Sequence, residues 1–424
     1  MQRVEPFDRT GSVAAVRGTE IEVRGLGLRV GASVVISAQG EDVRGEVIGV
    51  VPGGGIVAAF ADVSGIGQGD RVRIGEHAPV LASTALLGRV VDGLGRPLDG
   101  GPPISGESIS LTALTPNPLT RRRIDTPLST GVRVLDLMCP AGRGQRLGLF
   151  GGSGVGKSTL LGMMARGTDA DVNVIAMIGE RGREVREMVE DELGPAGLAT
   201  SVVVVATSDQ PAILRRRAAE LALRYAEYFA DQGSDVLMLF DSLTRLAMAQ
   251  RELGLAAGEP PTARGYTPSV FSLLPALLER TGTRAEGSIT GYFTVLVDGD
   301  DMNDPIADAA RSILDGHVVL DRRLAHRGQY PAVDPLASLS RLADQVTDES
   351  RLGIAASMRR SLAAVEDVRD LVEVGAYVPG TNAAADSGLL IEGDVRALLG
   401  QSASDLTTPD EAWTMAESIM DRVS

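Results

Sequence analysis

A glycine-rich turn between an apolar segment and a helix-like segment constrains this chain more than any other feature. Gly151, Gly156, Lys157 and Ser158 fill the pattern G-x-x-x-x-G-K-[ST], between the mostly apolar residues 147–150 and 160–165. In this pattern, successive backbone amides curl around a phosphate at the positive end of a helix. The sequence therefore predicts a strand, a phosphate-binding loop and a helix, with an α/β nucleotide-binding domain around them.

The lysine of this turn is the only lysine in the chain, since 40 of the 41 basic residues are arginine. A compact ammonium on a flexible stem fits inside a closed phosphate loop, whereas a planar guanidinium does not. We expect Lys157 to contact the β- and γ-phosphates and Ser158 to ligate Mg²⁺, although a plain strand–helix connection is the alternative. The predicted nucleotide-binding residues of the turn are Gly151, Gly152, Ser153, Gly154, Val155, Gly156, Lys157, Ser158 and Thr159.

Length and composition limit the class of protein. A chain of 424 residues is long for one core and favours two or three domains, and an aromatic content of 3% makes these cores aliphatic. A net charge of −15 argues against a general nucleic-acid binder. Cys139 is the single cysteine, so no disulfide can form within the chain. Residues 1–6 have no apolar core for a signal peptide, and no apolar run approaches the ~18 residues of a membrane span. We expect a cytoplasmic protein with at most peripheral membrane contact.

Short strand-like segments separated by glycine turns mark the first part of the chain and predict a small closed β-barrel. A Pro/Gly-rich and mostly irregular stretch follows at residues 79–130, with one strand near residues 87–92. The predicted domains are a barrel at 1–76, a nucleotide-binding domain at 77–345 and a helical domain at 346–424. The five predicted barrel strands are 12–16, 20–23, 33–37, 45–50 and 71–74.

After the phosphate loop, apolar segments rich in β-branched residues alternate with helical segments, such as 184–193 and 212–230. Near-continuous apolar runs are typical of strands that are buried on both faces of a parallel sheet. Beyond residue 346 the pattern is helical, with helices predicted at 351–365 and 367–374 and a break at 377–380. The apolar segments are 172–178, 201–206, 236–240 and 288–297.

Two carboxylates follow core strands, where the ligands of an open α/β sheet bind. Asp241 ends the segment 236–240 and is placed to hold Mg²⁺; capping of the next helix is the alternative. Glu180 follows another strand and is placed to orient a water molecule; the alternative is a favourable charge at a helix N-terminus. Arg181 has two possible roles, pairing with Glu180 or contacting phosphate, and spacing does not choose between them.

Two charged segments have less specific patterns. Arg121, Arg122 and Arg123 form a dense basic run, which we interpret as a solvated face. Residues 298–305 resemble a calcium loop in their acidity, but an EF-hand is rejected because the sixth position lacks glycine and the twelfth lacks glutamate. A turn followed by a helix cap is the remaining interpretation of that segment.

The residues at the predicted site closely resemble those of the rotary-type ATPases, which share residues like 151–158 and 179–185. Further segments are similar to the protein-export branch of this family, which comprises flagellum-specific export ATPases and type III secretion ATPases. Residues 161–166 are more similar to the flagellar group than to the virulence-associated group. The export-type segments are 206–211, 214–219, 241–245, 258–261, 265–271 and 312–320.

This resemblance implies a RecA-like central sheet and assigns roles to individual residues. Glu180 matches the water-activating carboxylate and Asp241 the Walker B position, with ATP and Mg²⁺ as cofactors. Arg341 matches an arginine finger that reaches into the neighbouring subunit's site, which implies a closed ring of identical subunits, a homohexamer. Tyr330 matches an aromatic residue that stacks on adenine, although an ordinary packed tyrosine is the alternative.

The resemblance implies an ATP hydrolase of the flagellar export apparatus, at the cytoplasmic face of the membrane. Its implied partners are a central stalk-like protein facing residues 298–305, regulatory and export-gate proteins, and export substrates with their chaperones. The family's N-terminal helical extension has no counterpart before residue 10, so we expect altered regulator and membrane contact. A virulence-type secretion ATPase and the catalytic subunit of a proton-translocating rotary ATPase are the alternatives.

A hexameric RNA translocase is a third alternative because it shares the same core and an N-terminal barrel. A barrel that binds single strands needs stacking aromatics and positive charge. Residues 1–75 contain only Phe7 and Phe60 as aromatics, and eight arginines stand against nine acidic residues. The composition therefore disfavours a nucleic-acid partner.

Overall fold

The computed structural model describes residues 10–76, 79–112, 116–297 and 304–423. Within these ranges the chain forms a small barrel, a central sheet flanked by helices, and a C-terminal group of helices. The predicted fold class is confirmed. The limits proposed for the three domains stay a prediction.

Six antiparallel strands close the barrel in the order β1-β2-β5-β4-β3-β6. Aliphatic side chains such as Ile21, Val34 and Val57, all fully buried, fill its interior. In β2 these buried residues alternate with more exposed ones, so one face of the strand is buried, whereas β3 and β5 are buried along most of their length. The strands are β1 (Thr10–Arg17), β2 (Glu20–Arg24), β3 (Ser33–Ala38), β4 (Glu41–Val51), β5 (Gly54–Ala59) and β6 (Arg71–Ile74).

Strand β5 is the one barrel strand that the sequence pattern missed. It begins with Gly54 and Gly55, a pair that is typical of a turn. In the barrel, a Cβ atom on Gly54 would lie 1.7 Å from the carbonyl oxygen of Val23 on β2. Glycine therefore serves close approach of two backbones here.

The segment between the barrel and the phosphate loop is more ordered than its composition indicates. Strands β7 and β9 pair with each other, β10 pairs with β11, and β8 joins the edge of the central sheet through β14. The strand predicted near residues 87–92 is thus confirmed as β8. These strands are β7 (Val80–Ala82), β8 (Arg89–Asp92), β9 (Glu107–Ile109), β10 (Pro127–Leu128) and β11 (Ala141–Gly142).

The central sheet has nine strands among the described residues, in the order β19-β18-β12-β17-β15-β13-β14-β8, with β16 paired to β17. All pairs are parallel except β18–β19 and β16–β17, so the sheet is mixed. The four apolar segments predicted as strands are β13, β14, β15 and β17. The strands are β12 (Arg146–Gly151), β13 (Val172–Ile178), β14 (Ser201–Ala206), β15 (Asp235–Asp241), β16 (Gly282–Thr283), β17 (Ser288–Leu296), β18 (Gly316–Leu320) and β19 (Val333–Ser340).

Helices cover both faces of the sheet and form the C-terminal group. The predicted helix at 212–230 is α5, and the two predicted at 351–365 and 367–374 are one continuous helix, α11. The helices are α1 (Arg133–Met138), α2 (Lys157–Gly167), α3 (Gly182–Glu187), a π-helix (Met188–Leu193), α4 (Gly194–Ala199), α5 (Ala212–Asp231), α6 (Leu243–Ala256), α7 (Pro268–Leu278), α8 (Pro305–Ile313), α9 (Arg322–His326), α10 (Ala343–Val346), α11 (Glu349–Glu373), α12 (Ala383–Leu399) and α13 (Pro409–Met420).

Two large aliphatic clusters hold the central sheet between its helix layers. One cluster extends from the sheet into the C-terminal helices through Met358, Ile391 and Trp413. None of the helices in the described ranges combines the length and apolar character that crossing a membrane requires.

The basic run at 121–123 is not simply a solvated face. The Arg121 guanidinium donates to the carbonyl oxygen of Thr281 at 2.7 Å, and that of Arg122 donates to the carbonyls of Arg284 and Glu286 at 3.1 and 2.6 Å. These carbonyls lie after α7 and before β17, outside the sheet's own hydrogen bonds, and arginine supplies the donors they need. The interpretation from composition was therefore wrong for Arg121, which is partly buried, whereas Arg122 is exposed although its guanidinium is bound to backbone carbonyls.

The acidic segment at 298–305 lies mostly outside the described residues, because the structure describes the chain again from residue 304. Asp304 accepts a hydrogen bond from the backbone amide of Ile306 at 2.9 Å and caps α8. The helix-cap interpretation is confirmed for this residue, and the predicted contact with a stalk protein stays a prediction.

Candidate functional site

The phosphate loop joins the last residue of β12 to the first residue of α2. Gly154 and Gly156 have φ values of +77° and +86°, a region that side chains with a Cβ rarely adopt, and Gly156 is the N-cap of α2. Val155, 1% exposed, anchors the loop in the core between them. The motif residues thus form a turn that presents backbone amides at a helix N-terminus.

The Lys157 ammonium lies across the mouth of this turn. It donates to the carbonyl oxygens of Gly151 and Gly152 at 3.0 and 2.6 Å. It also lies close enough to Asp241 for its positive charge to favour the ionised form of that carboxylate. Ser158 is exposed in the first turn of α2, beside the lysine.

Asp241 ends β15 and is paired in register with Met177 of β13. It is 5% exposed, and the Thr294 hydroxyl of β17 donates to its Oδ1 at 2.6 Å. Burial raises the pKa of Asp241, against the opposing effects of Thr294 and Lys157. A positive charge brought to this position would therefore be strongly favoured.

Glu180 follows β13 at the same edge of the sheet and is 8% exposed. Burial, together with the negative charge of Asp241, raises the pKa of Glu180 to about 8. The Glu180 carboxyl also shares a hydrogen bond with Glu184, which lowers the pKa of Glu184. Glu180 is thus suited to exchanging a proton near neutral pH.

Arg245 is the ion-pair partner of Glu180 that the structure shows, with its Nε 3.4 Å from Oε1. Gly179 makes this approach possible, because a Cβ there would lie 2.9 Å from the Arg245 Cβ. Arg181, which sequence placed beside Glu180, instead pairs with Glu184 at 3.7 Å and has a side chain that is 71% exposed. Sequence reasoning missed Arg245, whose only local signal is its position four residues after Asp241.

A hydrogen bond connects the phosphate-loop helix to the π-helix. The Thr159 hydroxyl donates to Oε1 of Glu192 at 2.7 Å, and a Cβ on Gly162 would lie 2.7 Å from the Glu192 Cβ. Arg166, on the same helix, lies 3.9 Å from Glu192 and donates to the Ala403 carbonyl at 2.7 Å. Glu192 was not predicted, because the pattern at 184–193 indicated only a helix.

The donors that converge here are chemically suited to a nucleotide with Mg²⁺. Ser158 supplies a hydroxyl oxygen and Asp241 a buried carboxylate, both hard ligands of the kind that Mg²⁺ prefers. The glycines at positive φ leave room for an anion, and Lys157 supplies its countercharge. The arrangement can bind phosphate, hold a metal and orient water.

Tyr330 lies at the same edge of the sheet, between α9 and β19. A Cβ atom built on Gly156 would lie 3.5 Å from its ring, so the ring borders the phosphate loop. The Tyr330 carbonyl accepts a hydrogen bond from the backbone amide of Gln401 at 2.8 Å, and the residue is 48% exposed. Its predicted stacking on adenine stays a prediction.

Arg341 lies at the opposite edge of the sheet. Because β19 is antiparallel to β18, its last residue, Ser340, pairs with Gly316 at the start of β18. The six-residue strand β12 separates that edge from the phosphate loop by ~17 Å, at about 3.3 Å per residue. The exposed Arg341 side chain donates to the Arg311 carbonyl at 3.3 Å. It is therefore too far to serve its own chain's loop.

Sequence comparisons place this chain among known ATPases. The ATP synthase alpha/beta family, nucleotide-binding domain, matches residues 131–340, and the T3SS EscN ATPase C-terminal domain matches residues 347–417. The flagellum-specific ATP synthase of Bacillus subtilis (strain 168) is 46% identical, over 96% of this chain and 97% of the relative. The type 3 secretion system ATPase of Xanthomonas euvesicatoria is also 46% identical, over 97% of this chain and 94% of the relative.

Solved structures agree. The assembled ATPase EscN from the type III secretion system of enteropathogenic E. coli matches with a TM-score of 0.92 and 40% identity, over 98% of this chain and 100% of that chain. EscN in complex with its central stalk EscO matches with a TM-score of 0.89 and 40% identity, over the same shares. The chain belongs to the ATP synthase alpha/beta family and, within it, to the branch of flagellum-specific and type III secretion ATPases.

Proposed function

We propose that this chain is the ATP-hydrolysing subunit of a flagellar type III export apparatus, which uses hydrolysis to unload export substrates and feed them to the export gate. The observation that carries this proposal is the convergence of Lys157, Glu180 and Asp241 at the carboxyl ends of β12, β13 and β15. Family membership over the full chain makes it an ATP-hydrolysing enzyme. The assignment to flagellar export rests on relatives such as that of Bacillus subtilis.

The roles proposed for the site residues follow from their positions. The amides of the loop and Lys157 bind the β- and γ-phosphates, while Ser158 and Asp241 hold Mg²⁺, which supplies charge neutralisation when bound. Glu180 orients the attacking water and accepts its proton, for which a pKa of about 8 is suited. Arg181, exposed near Glu184, is proposed to contact phosphate.

The position of Arg341 supports a ring of identical subunits. A chain that carries a phosphate loop at one edge and an exposed arginine at the other completes each site only when identical subunits adjoin. We infer a homohexamer in which Arg341 stabilises the developing charge on the neighbour's γ-phosphate. The assembled structure of the related EscN supports this inference.

The same reasoning extends to partners and location. EscN binds a central stalk, EscO, and we propose an equivalent stalk-like partner for this chain. Regulatory proteins, export-gate proteins and chaperones with their substrates are the other partners we propose. The ring would then lie at the cytoplasmic face of the export apparatus.

A virulence-type secretion ATPase is the second candidate, because identity to the Xanthomonas euvesicatoria ATPase is also 46%. Deletion of the gene distinguishes the two candidates. Loss of filament assembly and motility, restored by the intact gene, supports flagellar export. Intact motility with lost secretion of effector proteins would favour the second candidate.

The enzymatic proposal is tested with purified protein and Mg-ATP. We expect steady hydrolysis, and we expect Lys157→Ala to lower it to background because the γ-phosphate loses its fixed cation. Arg186→Ala, which removes an exposed cation paired with Glu190, is the matched control and should keep the native rate. Full hydrolysis by Lys157→Ala would contradict the proposed site.

A further inference from the structure

A polar cluster holds the base of Arg341 at the edge of the sheet opposite the phosphate loop. Its members are Gln145, Arg146, Asp315 and Ser340, and we call it the finger anchor. Arg146 begins β12 and Gln145 immediately precedes it, Asp315 immediately precedes β18, and Ser340 ends β19. The cluster therefore joins the strand that leads into the phosphate loop to the strand that Arg341 follows.

Gln145 is fully buried, and its side chain uses both the amide nitrogen and the oxygen. Its Nε2 donates to the Ser340 Oγ at 3.0 Å and to the Asp315 carbonyl at 3.2 Å. Its Oε1 accepts from the backbone amide of Gly142 at 2.9 Å. A buried amide with its hydrogen bonds satisfied holds its neighbours in one arrangement.

Asp315 bonds to both ends of the cluster. Its carboxylate accepts from the backbone amide and Nε of Arg146, both at 3.1 Å, and its amide donates to the Arg146 carbonyl at 2.8 Å. Its own carbonyl accepts the backbone amide of Arg341 at 3.0 Å. Arg146 in turn donates to Glu279 at 2.6 Å, which fixes the guanidinium from its other side.

These contacts leave little freedom in the backbone that carries Arg341. The backbone amide of Arg341 is bound to Asp315, which also binds Arg146 at the start of β12. The Ser340 hydroxyl is bound to Gln145, the residue before β12. Because β12 is a short, buried strand, a shift of the phosphate loop along its axis moves the anchor as well. The backbone that carries the exposed Arg341 side chain is thus connected, through these hydrogen bonds, to the phosphate-loop strand of its own subunit.

We propose that Gln145 and Asp315 are positioning residues, which set the placement of Arg341 in the neighbouring subunit's site and link it to the phosphate-loop strand of their own subunit. This rests on the proposed action of Arg341 between subunits. Hydrolysis needs the cation at the γ-phosphate, and a displacement of about 1 Å can lower the rate ~100-fold. The anchor limits such displacement.

The test is Asp315→Asn, which keeps the size of the side chain but removes its charge. We expect kcat to fall about ten- to hundredfold and KM for ATP to stay within about twofold, because a finger acts on the transition state more than on bound ATP. Asp231→Asn is the matched control. Asp231 lies at the same edge of the sheet and pairs with Arg284 at 3.6 Å, away from β18 and β19, so native kcat is expected.

Mixed rings separate a finger defect from damage to the variant's own site. Asp315→Asn mixed with Lys157→Ala should regain activity, because an intact loop then meets an intact finger. Asp315→Asn mixed with Arg341→Ala should not. The reverse pattern, recovery with Arg341→Ala and none with Lys157→Ala, would overturn the inference, since Asp315 would then act on its own loop.

Two further measurements keep the outcomes distinct. Ser340→Ala is a milder change that removes one acceptor of Gln145. It should show the same mixing pattern with a smaller fall in kcat. Because two variants are compared, misfolding of one of them cannot decide the result. The mixture of Arg341→Ala with Lys157→Ala tests the proposed function itself. If it recovers activity and Asp315→Asn keeps native kcat, the finger stands and the anchor is refuted.

Discussion

Glu180 has the environment that a water-orienting carboxylate needs, because the end of β13 buries it beside Asp241. The two acids share one low-dielectric edge, and burial with the neighbouring negative charge raises the pKa of Glu180 to about 8. Arg245, 3.4 Å away, limits that rise by favouring the ionised form. The same side chain can therefore hold a proton or release it near neutral pH.

We expect Glu180→Gln to bind ATP with affinity close to native but to hydrolyse it about 10²- to 10⁴-fold more slowly. The amide keeps the size of the carboxyl and lacks a group that can take the proton from water. Nucleotide affinity is measured with a fluorescent ATP analogue and turnover by phosphate release. Glu190→Gln, an exposed change beside Arg186, is the control. Normal turnover by Glu180→Gln would show that Glu180 is not the group that accepts the proton from water.

Sequence reasoning reached the individual residues of the site unevenly. The phosphate loop was predictable because its function requires a fixed local spacing. Glu180 and Asp241 were predictable because carboxylates that follow parallel strands lie at the same edge of the sheet. Arg245 and Gln145 act through partners that only tertiary packing provides. Arg341 was predicted only from the resemblance to the family, since an arginine after a strand has no distinctive local pattern.

At the scale of elements, α2 and the π-helix are in close contact, and we expect this contact to hold the phosphate-loop helix in place. Gly162 lets the π-helix lie directly against α2, where Glu192 accepts the Thr159 hydroxyl at 2.7 Å. A π-helix inside a helical segment often marks a functional position. Here it directs a carboxylate toward the residue that follows Ser158.

Gly162→Ala is therefore expected to displace the π-helix from α2. A new Cβ 2.7 Å from the Glu192 Cβ cannot be accommodated without movement, and overpacking of this kind costs about 1–3 kcal/mol. The thermal unfolding midpoint should fall and KM for ATP should rise.

Gly353→Ala on α11 is the control for this change, because nothing lies within 4 Å of its Cβ position. It should leave the midpoint unchanged or raise it slightly. An unchanged midpoint and KM in Gly162→Ala would show that the contact between α2 and the π-helix has no such role.

The elements themselves were predictable where one periodicity dominates, as in β13, β14 and α5. The missed features have opposite physical causes. The glycines of β5 look like a turn locally but serve the close approach of two strands. In α11, buried residues such as Met358 and Val365 keep the helix continuous beyond residue 365, where the sequence pattern indicated a break.

For the whole molecule, the main consequence of the topology is that Arg341 and the phosphate loop lie at opposite edges of the sheet, where we propose that they are two halves of sites shared between subunits. The loop and its carboxylates lie at the carboxyl ends of the parallel strands, whereas Arg341 lies at the other edge because β19 runs back against β18. In the proposed ring, a monomer alone would hold an incomplete site. Activity should rise with ring assembly and fall on dilution, since association supplies the missing cation.

The most direct test of shared sites is the ATPase activity of rings mixed from Lys157→Ala and Arg341→Ala subunits, each almost inactive alone. Rings that contain both variants include interfaces at which an intact loop meets an intact Arg341. We predict that mixing restores a substantial fraction of native activity, highest near equal proportions. Mixed rings that assemble, as verified by native mass spectrometry, yet stay inactive would contradict action between subunits.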